Sequence, residues 1–339
     1  MDNILLRPLP LTTASVGMLR LAGGPVAFAE LELLRRGHPP QLVPNDAVDM
    51  GRLAPFCALR DPILGIAMDR PLLMAVLNVT PDSFSDGGTD ADMDEAVARG
   101  MALAAAGADF IDIGGESTRP GADQVSIGQE QDRVLPVIEG LRAAGLRVPI
   151  SIDTRNAATA RAAMAAGAGL FNDISALTHD PDSLATAAEL RMPVCLMHAQ
   201  GDPKTMQADP RYDDVVLDVH DWLGARVEAC VAAGIPKSRI IVDPGIGFGK
   251  TLAHNLRLIS HLSVFHGLGC AVMLGASRKR FIGTLTGVEH AAERGAGSVG
   301  AAIAGAAQGA QILRVHDVAM TRQALLIWSA ASGMWEPET

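Results

Sequence analysis

Eight short apolar runs, each breaking off into polar, charged or glycine residues, recur along this chain and leave it few folds to adopt. They span Leu72–Asn78, Phe110–Glu116, Pro149–Thr154, Leu170–Ser175, Val194–Gln200, Ile240–Gly245, Ala271–Lys279 and Gln311–Asp317. Runs rich in leucine and β-branched residues, apolar without alternation, read as strands buried on both faces, the mark of parallel sheets. Eight of them with helical segments between predict a (β/α)8 TIM barrel. Chemistry in that α/β fold sits at the C-terminal strand ends, where the polar residues of these runs fall.

The intervening segments carry helical periodicity. Asp92–Ala106 places Met93, Val97, Met101 and Ala104 on one face, with Asp92 and Glu95 as a capping box. Ser126 with Gln129 opens a second helix whose buried face runs Val134, Val137, Ile138 and Leu141. Further helices are expected at Ala157–Ala166, Ser183–Leu190, Val215–Ala233, Leu252–Leu262, Ser298–Gln308 and Ala319–Ala331, with Gly107, Gly145, Gly167, Gly234, Gly267 and Gly309 near their ends. Residues 71–335 therefore read as one barrel. Residues 1–70, punctuated by Pro8, Pro10, Gly23–Gly24–Pro25 and Pro39–Pro40, lack this rhythm. They read as an N-terminal extension of short strands that cap the closed end of the barrel or serve an interface.

Composition narrows the partners. Hydrophobic residues make up 48% and charged residues 19%, enough apolar side chain for a sizeable core. A formal net charge of −10 argues against a nucleic acid or an anionic membrane as the main partner, so any bound anion needs a local positive cluster. No secretory signal and no membrane-length apolar window is evident, and the protein reads as soluble. The four cysteines show no CxxC spacing, which suits reduced thiols in a cytoplasmic protein.

The strand ends divide into chemical groups. The first leads into Asn78-Val79-Thr80-Pro81-Asp82-Ser83-Phe84-Ser85-Asp86-Gly87-Gly88, a polar loop suited to act as a lid over a charged substrate. The second leads into Gly114-Gly115-Glu116-Ser117-Thr118-Arg119-Pro120, where small residues admit a ligand and Thr118 and Arg119 offer hydrogen bonds to an anion. Asp153, Asn172 and Asp243 end the third, fourth and sixth strands and would point into one pocket. A carboxylate there needs donors, and the adjacent N–H groups of an amino-pyrimidinone edge supply them bidentately. Ser277, Arg278 and Lys279 follow strand seven, and Arg314 and His316 end strand eight, the habitual phosphate corner of this fold. These groups point to a planar polar heterocycle in the mouth and a diphosphate beside it, with Asp and Asn nearby implying Mg2+.

Two motifs fail. Gly245-Ile246-Gly247-Phe248-Gly249-Lys250-Thr251 has Pro244 where a nucleotide phosphate loop needs glycine, and its glycine spacing is not that of a dinucleotide fingerprint. Met197-His198 has no partner at zinc spacing, which leaves the fifth strand end without an assigned role.

In order along the chain, NVTPDSFSDGG, GGESTRPGA, the Asp of SIDT, FNDI, CLMHAQGDPKTMQ, DPGIGFGK, SRK and ILRVHDV resemble the dihydropteroate synthases, from about Leu72 to Ala330. The resemblance implies condensation of 6-hydroxymethyl-7,8-dihydropterin diphosphate with p-aminobenzoate in folate biosynthesis, sulfonamide susceptibility, and a homodimer. It implies that Asn78 binds Mg2+, that Asp153, Asn172, Asp243 and Lys279 bind the pterin, and that Thr118, Arg314 and His316 hold the diphosphate. Arg119, Ser277, Phe84 and Pro120 would shape the p-aminobenzoate side, with Asp86 joining Asp153 and Lys279 in catalysis. A methyltransferase barrel that binds a pterin would share the carboxylates without needing the Lys279, Arg314 and His316 cluster. A non-catalytic pterin-binding paralogue would show damage to the lid or the anion residues, and none is visible.

Overall fold

The computed structural model describes residues 4–13, 16–79, 90–116, 125–201 and 205–333, with the backbone alone for residues 90–92. The chain opens with β1 (Leu5–Pro8), β2 (Leu19–Arg20), β3 (Ala27–Phe28), β4 (Glu30–Leu34), β5 (Gln41–Pro44) and α1 (Met50–Cys57). Strands β1, β4 and β5 form an antiparallel sheet in the order β1-β4-β5, and β2 pairs with β3. Leu6, Leu21, Phe28, Leu31, Leu53 and Phe56 bury themselves between these pieces as a separate apolar core.

The barrel follows as β6 (Leu72–Asn78), β7 (Phe110–Gly114), β8 (Ile150–Asp153), β9 (Leu170–Asp173), β10 (Val194–Met197), β11 (Ile240–Asp243), β12 (Ala271–Leu274) and β13 (Ile312–Val315). All eight are parallel, they pair in chain order, and β13 pairs with β6 to close the ring. Residues facing the helices, among them Leu73, Ile111, Ile152, Phe171, Leu196 and Val242, join the large outer core. The alternate set, including Leu72, Met74, Phe110, Leu170, Ile241 and Met273, fills the interior. Burial on both faces is why these strands are largely apolar, with Asp112 of β7, Ser151 of β8 and Arg314 of β13 among the exceptions inside them. The bottom of the interior stack is stoppered by Ile63 and Met68, brought there by a tight turn in which Ile63 and Ile66 exchange backbone hydrogen bonds. Arg60 fastens this segment, donating to the carbonyls of Cys270 (3.0 Å), Ala58 (2.9 Å), Pro55 (2.6 Å) and His266 (3.1 Å).

The helices are α2 (Asp90–Ala105), α3 (Ile127–Ala143), α4 (Ala157–Ala166), α5 (Ser183–Glu189), α6 (Val215–Ala232), α7 (Leu252–Ser260), α8 (Arg280–Thr286), α9 (Gly295–Ala307) and α10 (Val318–Ala331). The capping box expected on α3 is present in both directions, Ser126 N–H to Gln129 Oε1 at 3.0 Å and Gln129 N–H to Ser126 Oγ at 3.2 Å. That of Asp92 and Glu95 falls outside the described side chains. Five of the six glycines expected at helix ends adopt left-handed backbone, and Gly267 does not. It lies in a 3-10 stretch over 262–268 where a Cβ would sit 2.8 Å from the Phe56 ring, and Gly269 makes the turn instead. Among the described residues no helix is long and apolar enough to cross a membrane.

Candidate active site

The barrel register puts the strand-end residues into one layer: Asn78 pairs with Gly114, Gly114 with Asp153, Asp153 with Asn172, and Met197 with Asp243. Gly114 keeps the space between two of them open. A Cβ there would lie 3.6 Å from Asp153 Oδ2 and 3.8 Å from Asn78 Oδ1. Gly275, just past β12, leaves the same kind of room beside Asp243.

Arg314 is the hub of this layer. Its Nε donates to Asp112 Oδ2 at 2.6 Å and its Nη2 to Asp153 Oδ2 at 2.7 Å, while Asn172 Nδ2 donates to the same Asp112 oxygen at 3.1 Å. Burial works against the charged guanidinium, but Asp112 and Asp153 outweigh it and hold its pKa above the ordinary arginine value. Burial pushes Asp153 up to about 7, with Arg314 opposing and Asp112, Glu130 and Asp173 adding to the rise. Asp243 is also raised by burial, against the pull of Lys279, and its Oδ1 accepts the Gly245 N–H at 2.7 Å. Lys279 is lowered to about 8 by burial, partly offset by Asp243. Its Nζ donates to the Ile246 carbonyl and lies 4.7 Å over the Phe248 ring.

Asp153, Asn172, Asp243, Lys279 and Arg314 thus share one mouth, with three carboxylates, counting Asp112, around two cations. Such a mouth binds a molecule rich in N–H donors and favours positive charge developing on it. Two of the five donors of Arg314 go to carboxylates, and a guanidinium fork held this way still offers donors to an anion. His316 adjoins it, its backbone N–H donating to Ser277 Oγ at 3.2 Å and its Nδ1 3.0 Å from that oxygen. Ser277 and His316, assigned from sequence to different substrates, are therefore neighbours. Arg278 leaves the cluster. It holds φ at +58° and turns its guanidinium onto Asp317, at 3.1 and 2.5 Å, so Lys279 is the cation that the SRK triplet gives to the mouth.

Phe84, Asp86, Thr118, Arg119 and Pro120 lie outside the described residues. The root of the second loop is nevertheless well anchored. Arg155 Nη2 grips both oxygens of Glu116 at 3.0 and 2.9 Å, and Arg133 Nη1 donates to the Gly115 carbonyl at 2.8 Å.

Two residues in and around the site were given no role by the sequence. Asp112, fully buried, sits inside an apolar run, and its only signal was a charge where a strand interior wants none. Lys250 belongs to the failed phosphate loop and is 3% exposed.

A family described as pterin binding enzyme matches residues 74–316. The dihydropteroate synthase of Escherichia coli (strain K12) is 46% identical over 263 residues, 78% of this chain and 92% of that enzyme. A structure of the Xanthomonas albilineans dihydropteroate synthase with 4-aminobenzoic acid is 50% identical with a TM-score of 0.75, over 80% of this chain and 97% of that one. The Xanthomonas albilineans enzyme in complex with 7,8-dihydropteroate aligns at 48% identity and a TM-score of 0.71, over 78% and 95%.

Proposed function

The chain belongs to the pterin-binding enzymes, in the dihydropteroate synthase family, and we propose that its barrel mouth divides between the base and the diphosphate of one substrate. It is a transferase of folate biosynthesis that condenses 6-hydroxymethyl-7,8-dihydropterin diphosphate with p-aminobenzoate. The bond from the pterin methylene to the diphosphate oxygen breaks, a bond from that carbon to the arylamine nitrogen forms, and the nitrogen gives up a proton.

The observation that carries the division is the convergence of Asp153, Asn172 and Asp243 in one strand-end layer, with Lys279 and Arg314 as the charges among them. Asp153 and Asp243 accept the N–H donors of the pterin edge, Asn172 reads an adjacent group, and Lys279 donates to the ring. As the methylene loses its diphosphate and gains positive charge, the fixed carboxylates stabilise it without reorganising. Arg314 and His316 face the departing diphosphate, and Thr118 joins them. Arg119, Ser277, Phe84 and Pro120 seat p-aminobenzoate, and Asp86 acts with Asp153 and Lys279 on the reacting atoms.

Among the described residues no three His, Cys, Asp or Glu side chains converge as a metal cage. The Asn78 amide oxygen would be the protein's ligand to an Mg2+ bound with the diphosphate, an ion that needs few protein ligands when phosphate oxygens are present. The ion would neutralise charge on the leaving group. The exposed apolar side chains Leu285, Met320, Leu326 and Ile327 offer a surface for a homodimer, to be checked by light scattering on the eluting protein. The free thiols suit a reducing cytoplasm.

Diphosphate release from the dihydropterin substrate, followed with and without p-aminobenzoate and Mg2+, tests the reading. Release that depends on both is expected. Folded protein that forms no p-aminobenzoate-dependent product would overturn it.

A further inference from the structure

We propose that Lys250 and His198 are a positioning pair that fixes the loop after β11 and, through it, Lys279, an inference resting on the place given to Lys279 in the pterin pocket. The loop is held by its own carbonyls. Four in succession accept from side chains: Ile246 from Lys279 Nζ past β12, Gly247 from Gln207 Nε2 and Gly249 from Tyr212 Oη (2.8 Å) of the connection between β10 and α6, and Phe248 from Lys250 Nζ of the loop itself at 3.0 Å. Gly245, at φ +70°, brings the loop so near the end of β10 that a Cβ would sit 1.8 Å from the His198 carbonyl oxygen.

Lys250 ties these two segments together. Besides the Phe248 carbonyl, its Nζ lies 3.3 Å from the His198 carbonyl and 2.9 Å from His198 Nδ1. A lysine nitrogen has three positions free of carbon, and each faces one of these groups. As an ammonium it donates to all three. As a neutral amine it donates to the two carbonyls and accepts the Nδ1 proton. The contact set is complete in either state. No carboxylate among the described residues lies within ion-pair distance of Lys250, so burying it gains no salt bridge to offset desolvation. What it gains is geometry.

His198 is in turn fixed rigidly. Its backbone N–H donates to the Asp243 carbonyl at 3.0 Å, and its ring stands edge-on to Trp222 of α6, 4.9 Å between centroids. The chain of contact therefore runs from α6 through His198 and Lys250 to the loop that receives Lys279 and carries Phe248 beneath it. The fifth strand end acts on the pocket through this pair without touching substrate, and the lysine of the apparent phosphate loop binds no phosphate.

Lys250→Met keeps an apolar stem out to the Cε position and removes the donors. The expected result is a rise of about tenfold or more in KM for dihydropterin diphosphate, with kcat changed far less, measured well below the Tm of the variant. If that variant does not fold, His198→Leu and His198→Asn replace it. Asparagine can put an acceptor near the Nδ1 position, so it is expected to restore the KM that leucine raises. Lys279→Ala is the control. If Lys279→Ala leaves KM unchanged, the pocket assignment itself fails. If it raises KM while Lys250→Met or both His198 variants keep the wild-type value, the positioning role is overturned.

Discussion

Asp153 and Arg314 hold each other across the mouth, and that fixes how the enzyme should respond to pH. A protonated Asp153 turns one oxygen into a donor and can no longer accept two pterin N–H groups as a charged pair, and burial, opposed by Arg314, raises its pKa to about 7. Below that pH, kcat/KM for dihydropterin diphosphate is expected to fall, approaching tenfold per unit, and a pH profile that is flat from 5 to 8 would contradict the role. Asp112→Asn preserves shape and weakens the hold on Arg314. It should cost about 1.5–3 kcal/mol of transition-state stabilisation, roughly 10- to 150-fold in kcat/KM by steady-state kinetics. The contrast between these two aspartates shows what a sequence discloses. Asp153 ends a strand, so it stands out as the residue that breaks an apolar run. Asp112 lies within one, and its partner Arg314 comes close only once the barrel has closed. Lys250 was in plain view, but once its motif failed as a phosphate loop the sequence offered no other role for it, since its partner His198 comes close only in the folded barrel.

The strands and most helices were legible because burial on both faces, or on one helical stripe, writes a period into the residues. The short pieces were not. Strands β2 and β3 have two residues each, too few for any period, and α8 buries only Phe281 and Ile282. The loop after β11 shows a different limit, since its form comes from hydrogen bonds to distant side chains and from the close approach at Gly245. Gly245→Ala would meet both a left-handed backbone and the His198 carbonyl. It should destabilise the protein by about 3 kcal/mol or more, read as a lower urea midpoint, and a midpoint equal to wild type would refute the packing described.

For the whole molecule, the seam between the N-terminal sheet and the barrel is the feature least visible beforehand. Turn formers announced short strands, but nothing announced that Arg60 would be buried against carbonyls from the barrel floor. His266 lies in this seam, and burial, helped by Arg60, pushes its pKa down to about 3 from an ordinary 6.5. The unfolded chain therefore takes up that proton first as pH falls, and wild-type stability is lost between about 6.5 and about 3. Replacing the ring by His266→Leu should shift relative stability toward the variant by up to about 1.4 kcal/mol per pH unit over that window, measured by denaturant titration at several pH values. A difference independent of pH would place the ring in contact with solvent.

Ring closure also has a consequence for synthesis. Strand β6 is made first and its outer neighbour β13 last, with Leu72 waiting for Ile312. A growing chain therefore carries an open, apolar strand edge for most of its time on the ribosome, the kind of edge to which other chains add. Residues 5–57 gather their own small core early and lie beside that edge in the sequence. The yield of this enzyme should therefore respond to translation speed and chaperone supply.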